Sequence, residues 1–249
     1  MIPGGQRCGS TYLASLISKF ENVKLPINHN SEPKWFLKKS TRSNDSDLYM
    51  KEVFGMDGFP PNQIFLEKST AYLSDLNAAE RIKETLGSIP IIIIIRNPVA
   101  RAISHFRFST LHGFEVLQFE NAIYLDPDKR AYKRENVSAN PFNYINNGMY
   151  HYYLKKWLNL FPATKIVFLE ELIRESDTFI EICDYLKLDN NSGRKFWNNQ
   201  KVNRSANLQS DIESTEIAYL QKVFLEPNES LRMLLGRDLP SEWNRSLSV

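Results

Sequence analysis

Pro90-Ile91-Ile92-Ile93-Ile94-Ile95-Arg96-Asn97-Pro98 is the stretch of this 249-residue chain that says most about its fold. Five successive isoleucines leave no alternation between a wet and a dry face. The run therefore predicts a strand buried on both sides, the central strand of a parallel sheet. Asn97 is a strong helix N-cap and Pro98 suits the first helical position, so the strand should feed directly into a helix.

Working outward, residues 63–67 and 165–169 read as further strands. Leu13, Leu16, Ile17 and Phe20 follow helical spacing, as do Val99, Ala102, Ile103 and Phe106. Helices are also predicted over 149–161, 178–188 and 212–225. Strands alternating with helices imply an α/β fold, with a central parallel sheet flanked by helices and ligands at the carboxyl ends of the strands. No repeat or linker divides the chain, so one domain over residues 1–249 is expected. Two stretches, 28–61 and 109–147, carry no clear pattern and are expected to be irregular, as lids and binding walls often are.

Composition narrows the function. With 42% hydrophobic and 24% charged residues, the chain is of globular type. Thirty-one Lys and Arg against 29 Asp and Glu leave a net charge of +2, which argues against a nucleic-acid partner. Cys8 and Cys183 are too few for a disulfide framework and lack metal-ligand spacing, so thiols in a reducing compartment are expected. The apolar run at 89–95 is too short to cross a bilayer, and Gly4 to Arg7 interrupt any early apolar segment. A cytoplasmic protein without a membrane partner is the expectation. No motif bears on the oligomeric state.

Gly4-Gly5-Gln6-Arg7-Cys8-Gly9-Ser10-Thr11 leads into a predicted helix. Glycines ahead of a helix N-terminus let backbone N–H groups converge on an anion, and the helix dipole adds to the attraction. Ser10 stands where a Walker-type loop needs Lys, and Arg96 rather than Asp ends the isoleucine strand. A Mg–ATP mechanism therefore fits poorly. The alternative is a Gly-rich turn capped by Ser10. Arg96, with Ser104 eight residues on along a face shared with Arg101, would make a second phosphate site. The alternative there is a local ion pair and an exposed serine. Two such sites suggest a nucleotide phosphorylated at both ends of its ribose.

The segment Gln6-Arg7-Cys8-Gly9-Ser10-Thr11-Tyr12-Leu13 resembles the 5′-phosphosulfate loop of sulfotransferases that use 3′-phosphoadenosine 5′-phosphosulfate. Arg96-Asn-Pro-Val-Ala-Arg-Ala-Ile-Ser104 is similar to their 3′-phosphate motif. Glu67-Lys68-Ser69-Thr70-Ala71-Tyr72, Gly148-Met-Tyr150 with Leu154, Trp157 and Phe161-Pro162, and the tail 234–243 resemble segments of the heparan sulfate branch. The resemblance implies a P-loop-like nucleotide-binding core and metal-independent sulfuryl transfer to a hydroxyl or amine of a small-molecule or glycan acceptor. 3′-Phosphoadenosine 5′-phosphate is the implied product. The rival activities are a kinase-like phosphotransferase and a non-catalytic nucleotide-binding protein.

Roles follow from the same resemblance. Cys8 and Gly9 N–H groups, with Ser10 and Thr11, would hold the 5′-phosphate. Arg7 stands where the family usually has Lys. A guanidinium can clamp but cannot give up a proton, so Lys68 becomes the second catalytic cation. Glu32, in Glu32-Pro33-Lys34-Trp35-Phe36, would be the base, with His29 as its rival. Lys201 and Arg204 would close over the nucleotide. Trp35 and Phe36 are expected in the core, and His105 and His151 on helix surfaces or in structural hydrogen bonds. The basic run 129–134 is either an acceptor contact or a solvated face. The loop normally follows a strand, yet only Met1-Ile2-Pro3 precede Gly4, so either that first strand is very short or the chain lacks residues present in relatives.

Overall fold

The computed structural model describes residues 1–28, 31–37, 45–125, 127–131, 140–197, 212 and 214–243. In chain order the helices are α1 (Ser10–Ile17), α2 (Ser46–Phe54), α3 (Leu76–Leu86), α4 (Pro98–Leu111), α5 (Phe119–Tyr124), α6 (Tyr150–Leu160), α7 (Leu169–Arg174), α8 (Ser176–Leu186), α9 (Asn190–Phe196) and α10 (Ser214–Leu235). The strands are β1 (Val23–Lys24), β2 (Ile64–Phe65), β3 (Ile92–Ile95) and β4 (Lys165–Phe168). The chain folds into two compact units, Met1–Ile95 with Tyr153–Asn203, and Arg96–Tyr152 with Arg204–Val249.

The first unit holds the sheet. β3 pairs with β4 in parallel, Ile92 opposite Lys165 through Ile95 opposite Phe168. Ile91 to Ile95 are no more than 1% exposed, so the strand is buried on both faces as its composition requires. Burying each such side chain is worth about 1.5–3 kcal/mol. On its other edge, Ile92 and Ile94 N–H groups donate to the Met1 and Gly4 carbonyls at 3.0 and 3.1 Å. Ile2 in turn donates to Glu67 O at 2.8 Å and accepts from Ser69 N at 3.1 Å, in a parallel bridge with Lys68. Leu66 N reaches Lys24 O at 2.9 Å, beyond the parallel β1–β2 pair. The short opening segment thus sits between β3 and the end of β2, and backbone hydrogen bonding runs without a break from β1 to β4.

Helix ends inside the stretch at 28–61 follow ordinary capping chemistry. Asp45 accepts from Leu48 N at 2.8 Å, and Gly55, at φ 67°, stops α2 in the left-handed region. Helix α3 repeats the device, with Asp75 taking the N–H groups of Asn77 and Ala78. The sequence reading passes over both helices, although their caps stand in the sequence. Trp35 and Phe36 lie buried in a single 3-10 turn, as core residues.

A carboxylate holds this region together. Glu67 is 1% exposed and accepts from Tyr49 OH at 2.7 Å, Ser69 Oγ at 2.8 Å and Tyr72 OH at 2.6 Å. Tyr72 OH also accepts from Phe36 N at 3.1 Å, and Ser69 Oγ accepts from Lys34 N at 3.1 Å. Burial pushes the Glu67 carboxyl up, and the three hydroxyls only partly pull it back.

In the second unit, Asn97 Oδ1 accepts from Val99 N at 3.0 Å and Ala100 N at 3.2 Å, capping α4 ahead of Pro98 as the sequence predicts. Phe106, Phe119, Phe142, Leu220 and Phe224 pack into its core. Helix α10 runs ten residues past the expected end at 225, through Pro227. It does so because Ile217, Leu220, Phe224 and Leu231 keep one buried stripe, which outweighs the amide donor lost at the proline.

The stretch 109–147 contains α5 and a buried ion pair. Arg130 grips Glu115 through both carboxylate oxygens at 2.7 and 2.6 Å, and stacks 3.7 Å over the Phe142 ring. Tyr144 OH donates to Glu115 at 2.7 Å, and the Val116 and Leu117 N–H groups at 3.0 Å each. Arg130 is therefore neither a solvated cation nor an acceptor contact. Burial alone would push the Glu115 carboxyl up, but its donors more than offset this and hold it below the usual range.

Two stability predictions follow from these carboxylates. Glu67→Ala leaves three hydroxyls without their acceptor, at about 1–3 kcal/mol each, so urea unfolding should show a loss of about 3 kcal/mol or more. Glu67→Gln keeps an acceptor oxygen and has no charge to bury, and should lose less. Arg130→Ala strands a buried carboxylate and should lose about 3 kcal/mol. Because the native Glu115 carboxyl is depressed, its stabilisation is fully present above an unfolded value of about 4.3 and is lost as pH falls through the native value. Thermal scans below about pH 4 should show a shallower pH dependence for Glu115→Gln than for wild type.

Candidate active site

Two clusters of the residues singled out by sequence are described, one in each unit. In the first unit, the loop from Gly4 to Gly9 is pressed against the carboxyl ends of the strands. Gly5 N donates to Ile94 O at 2.6 Å, and Cys8 N turns back to Gly5 O at 3.2 Å. A Cβ on Gly9 would lie 2.5 Å from Leu169 Cδ1, at the start of α7, and one on Gly4 would lie 2.5 Å from Leu73 Cβ. Gly4 therefore has no room for a side chain, and Gly9, at φ 87°, has a backbone that favours glycine.

Arg7 and Gly9 both have left-handed backbones, at φ 64° and 87°, alternating with other conformations. Alternation of this kind is the backbone pattern of anion-binding nests, although the Cys8 N–H is taken up by Gly5 O. Gly9 is the N-cap of α1, and no side chain hydrogen-bonds to the cap among the described residues. Ser10 is instead the first helical residue and is buried, with Thr11 half-buried beside it. The Ser10-capped turn is thereby set aside, and the first-turn donors of α1 keep their direction toward the nest. Arg7 is half-buried on the same loop, and Cys8 is buried.

Glu32 and Lys68, 36 residues apart in sequence, come together beside this loop. Lys68 Nζ lies 3.0 Å from Glu32 Oε1, with the side chains 24% and 16% exposed. Thr70 Oγ1 donates to the same Oε1 at 2.8 Å. Sequence reasoning quotes Thr70 within its motif but gives it no role. His29, Lys201 and Arg204 lie outside the described residues, so the rival base and the late basic loop have no geometry to report.

In the second unit, Arg96 is half-buried at the residue that follows β3, and its carbonyl accepts from Tyr150 OH at 2.8 Å. Asn97 already takes the first free N–H groups of α4, so any anion there would meet the Arg96 guanidinium and the Ser104 hydroxyl rather than open helix donors. The helical face carrying Ser104 is not an exposed one. Ser104 is 8% exposed and Arg101 is 0% exposed. The Arg101 guanidinium donates to the carbonyls of Tyr144 and Asn143, the latter at 3.3 Å, so it staples α4 to residues 143–144. His105 is buried too, 3.4 Å from Arg101 Nη1 and edge-on to Tyr144, which makes it a structural rather than a surface histidine. Sequence reasoning missed Arg107, one turn beyond Ser104 on α4. Burial, and then the nearby Arg96 charge, hold its guanidinium below its usual range. Its i+3 spacing from Ser104 was the available signal.

Cys8 and Cys183 are thiols, not joined in a disulfide. Among the described residues no three His, Cys, Asp or Glu side chains gather as a metal site, and no helix is long and apolar enough to cross a membrane.

The sequence matches the family model described as the sulfotransferase domain over residues 1–222. It is 27% identical over 200 residues to the mouse (Mus musculus) heparan sulfate glucosamine 3-O-sulfotransferase 5, covering 72% of this chain and 57% of that protein. It is also 27% identical over 174 residues to the bifunctional heparan sulfate N-deacetylase/N-sulfotransferase 1 of Caenorhabditis elegans, covering 68% of this chain and 19% of that protein. The chain thus spans little over half of one relative and a fifth of the other. A crystal structure of a sulfotransferase from Alicyclobacillus acidocaldarius superposes with a TM-score of 0.75 at 22% identity, covering 98% of this chain and 97% of that one, and shows the shared fold. With a P-loop-like α/β fold built on parallel strands and a family match over most of its length, the chain belongs to the sulfotransferase family.

Proposed function

We propose that this sulfotransferase moves a sulfuryl group from 3′-phosphoadenosine 5′-phosphosulfate to a hydroxyl, or an amine, of a glycan or small-molecule acceptor. The observation that carries the reading is the Glu32–Lys68 contact of 3.0 Å beside a phosphate-type nest. A carboxylate base and a cation on one site meet two needs of the reaction, removal of the acceptor proton and stabilisation of the departing phosphate.

In the proposed reaction, the acceptor oxygen forms its bond to sulfur as the bond from sulfur to the 5′-phosphate oxygen breaks. The acceptor proton passes to Glu32, and the negative charge returns to the phosphate. The Gly9 N–H and the Ser10 and Thr11 hydroxyls take the 5′-phosphate, joined by the Cys8 N–H when it leaves its bond to Gly5 O. Arg7, permanently charged, clamps the transferring group, and Lys68 meets the leaving oxygen. Arg96 and Ser104 take the 3′-phosphate, with Lys201 and Arg204 as closing cations. Fixed cations supply the positive charge in this scheme, so no metal takes part. The names of the relatives put glucosamine-containing glycans first among acceptors to try, and the two thiols suit a reducing, cytoplasmic setting.

Calorimetric titration with 3′-phosphoadenosine 5′-phosphate should show binding that ethylenediaminetetraacetate does not alter. Folded protein that ignores this nucleotide, or that prefers ATP with Mg²⁺, overturns the reading. Arg96→Ala should weaken binding by about 1–3 kcal/mol. Glu32→Gln should bind the nucleotide as wild type does while transfer to the acceptors found by mass-shift screening falls about 100-fold or more.

A further inference from the structure

Thr70 has a backbone position and a side-chain contact that single it out. Its carbonyl abuts the phosphate loop, where a Cβ on Gly4 would come within 3.2 Å of Thr70 O. Its hydroxyl reaches Glu32 Oε1 at 2.8 Å, closer than the 3.0 Å of Lys68 Nζ to the same oxygen. Both donors fall on Oε1, and among the described residues Oε2 accepts no hydrogen bond. A carboxylate held by one oxygen presents the other as the proton acceptor.

We propose that Thr70 is a positioning residue for the catalytic base, fixing Glu32 through Oε1 so that Oε2 faces the acceptor; this rests on the reading of Glu32 as base. The physical need for a second donor comes from Lys68. Its ammonium is a mobile point charge on a flexible stem, and the proposed reaction draws it toward the departing phosphate. When it turns, a Glu32 held by Lys68 alone loses its orientation at the moment the proton must move. The Thr70 hydroxyl sits on a short 3-10 turn, Thr70–Tyr72, anchored by Tyr72 OH on buried Glu67. It keeps one bond on Oε1 whatever Lys68 does. In the transfer step the acceptor proton goes to Oε2 as the oxygen–sulfur bond forms, while the Thr70 proton stays on its own oxygen.

The test measures single-turnover loss of labelled 3′-phosphoadenosine 5′-phosphosulfate with the acceptor the screen yields, or with water where it yields none. Thr70→Val keeps the shape and removes the donor. It should slow the chemical step about 10- to 100-fold, the scale of a displaced catalytic group. Affinity for 3′-phosphoadenosine 5′-phosphate and melting temperature should stay at wild-type values. Thr70→Ser should recover the rate to within about threefold, as a structural methyl contact would not. Thr70→Ala serves as second donor-free variant should valine disturb the fold. In a Glu32→Gln background, Thr70→Val should change nothing further. A wild-type rate in Thr70→Val or Thr70→Ala, no recovery in Thr70→Ser, or an undiminished effect in the Glu32→Gln background overturns the proposal and leaves the base reading standing. A wild-type rate in Glu32→Gln overturns the base reading itself, and this proposal with it.

Discussion

The buried carboxylate of Glu67 is the constraint on which the first unit rests. A charge removed from water must be matched by donors, and three hydroxyls from two elements and a loop converge on it. The consequence is geometric. Tyr72 and Ser69, bound to Glu67, also accept the N–H groups of Phe36 and Lys34, so the segment carrying Glu32 is fastened to the segment carrying Lys68 and Thr70. The backbone of Glu67 meanwhile accepts from Ile2, at the entry to the phosphate loop. Through its side chain and its backbone, Glu67 therefore ties together the Gly4–Gly9 loop, the Glu32 segment and the Lys68 segment.

How much of this was legible in the sequence depends on how local the signal is. Ile91 to Ile95 and the Asn97-Pro98 cap carry local signals, and they appear in the structure as read. The α2 and α3 caps at Asp45 and Asp75 were equally local, and the buried sets Tyr49, Met50, Val53, Phe54 and Ala78, Ala79, Ile82 recur at helical spacing. Both helices were therefore legible, although the reading passed over them. Arg130 was misread for a different reason. It looks like a surface cation by its charge run, and it is matched by Glu115, 15 residues away. The Glu32–Lys68–Thr70 triad lies between these cases: the family resemblance marked two members, and only the fold brought in the third.

The opening residues are hydrogen-bonded on both sides. Met1 to Gly5 make hydrogen bonds to Ile92 and Ile94 on one side and to Glu67 and Ser69 on the other. A segment bonded on both edges is held by its neighbours, and so aims the loop that follows it. The loop also requires close approach. Gly4 and Gly9 lie where a Cβ would strike Leu73 and Leu169, which is why side-chain-free residues stand at both ends of the loop.

Net charge is a poor guide to a site of this type. A total of +2 hides Arg7 and Lys68 beside one loop, and Arg96 and Arg107 close enough that one charge is felt by the other. Like charges are gathered in a fold only against their mutual repulsion, and an anion of two or more charges removes that repulsion on binding. Lys68 already has a counter-charge in Glu32. In the proposed reaction, a cation that exchanges a carboxylate for a phosphate loses little on binding, and it releases the carboxylate for proton transfer in the same movement. That coupling makes the hydroxyl of Thr70 more than a redundant third contact, because it is the bond on Glu32 that survives the exchange.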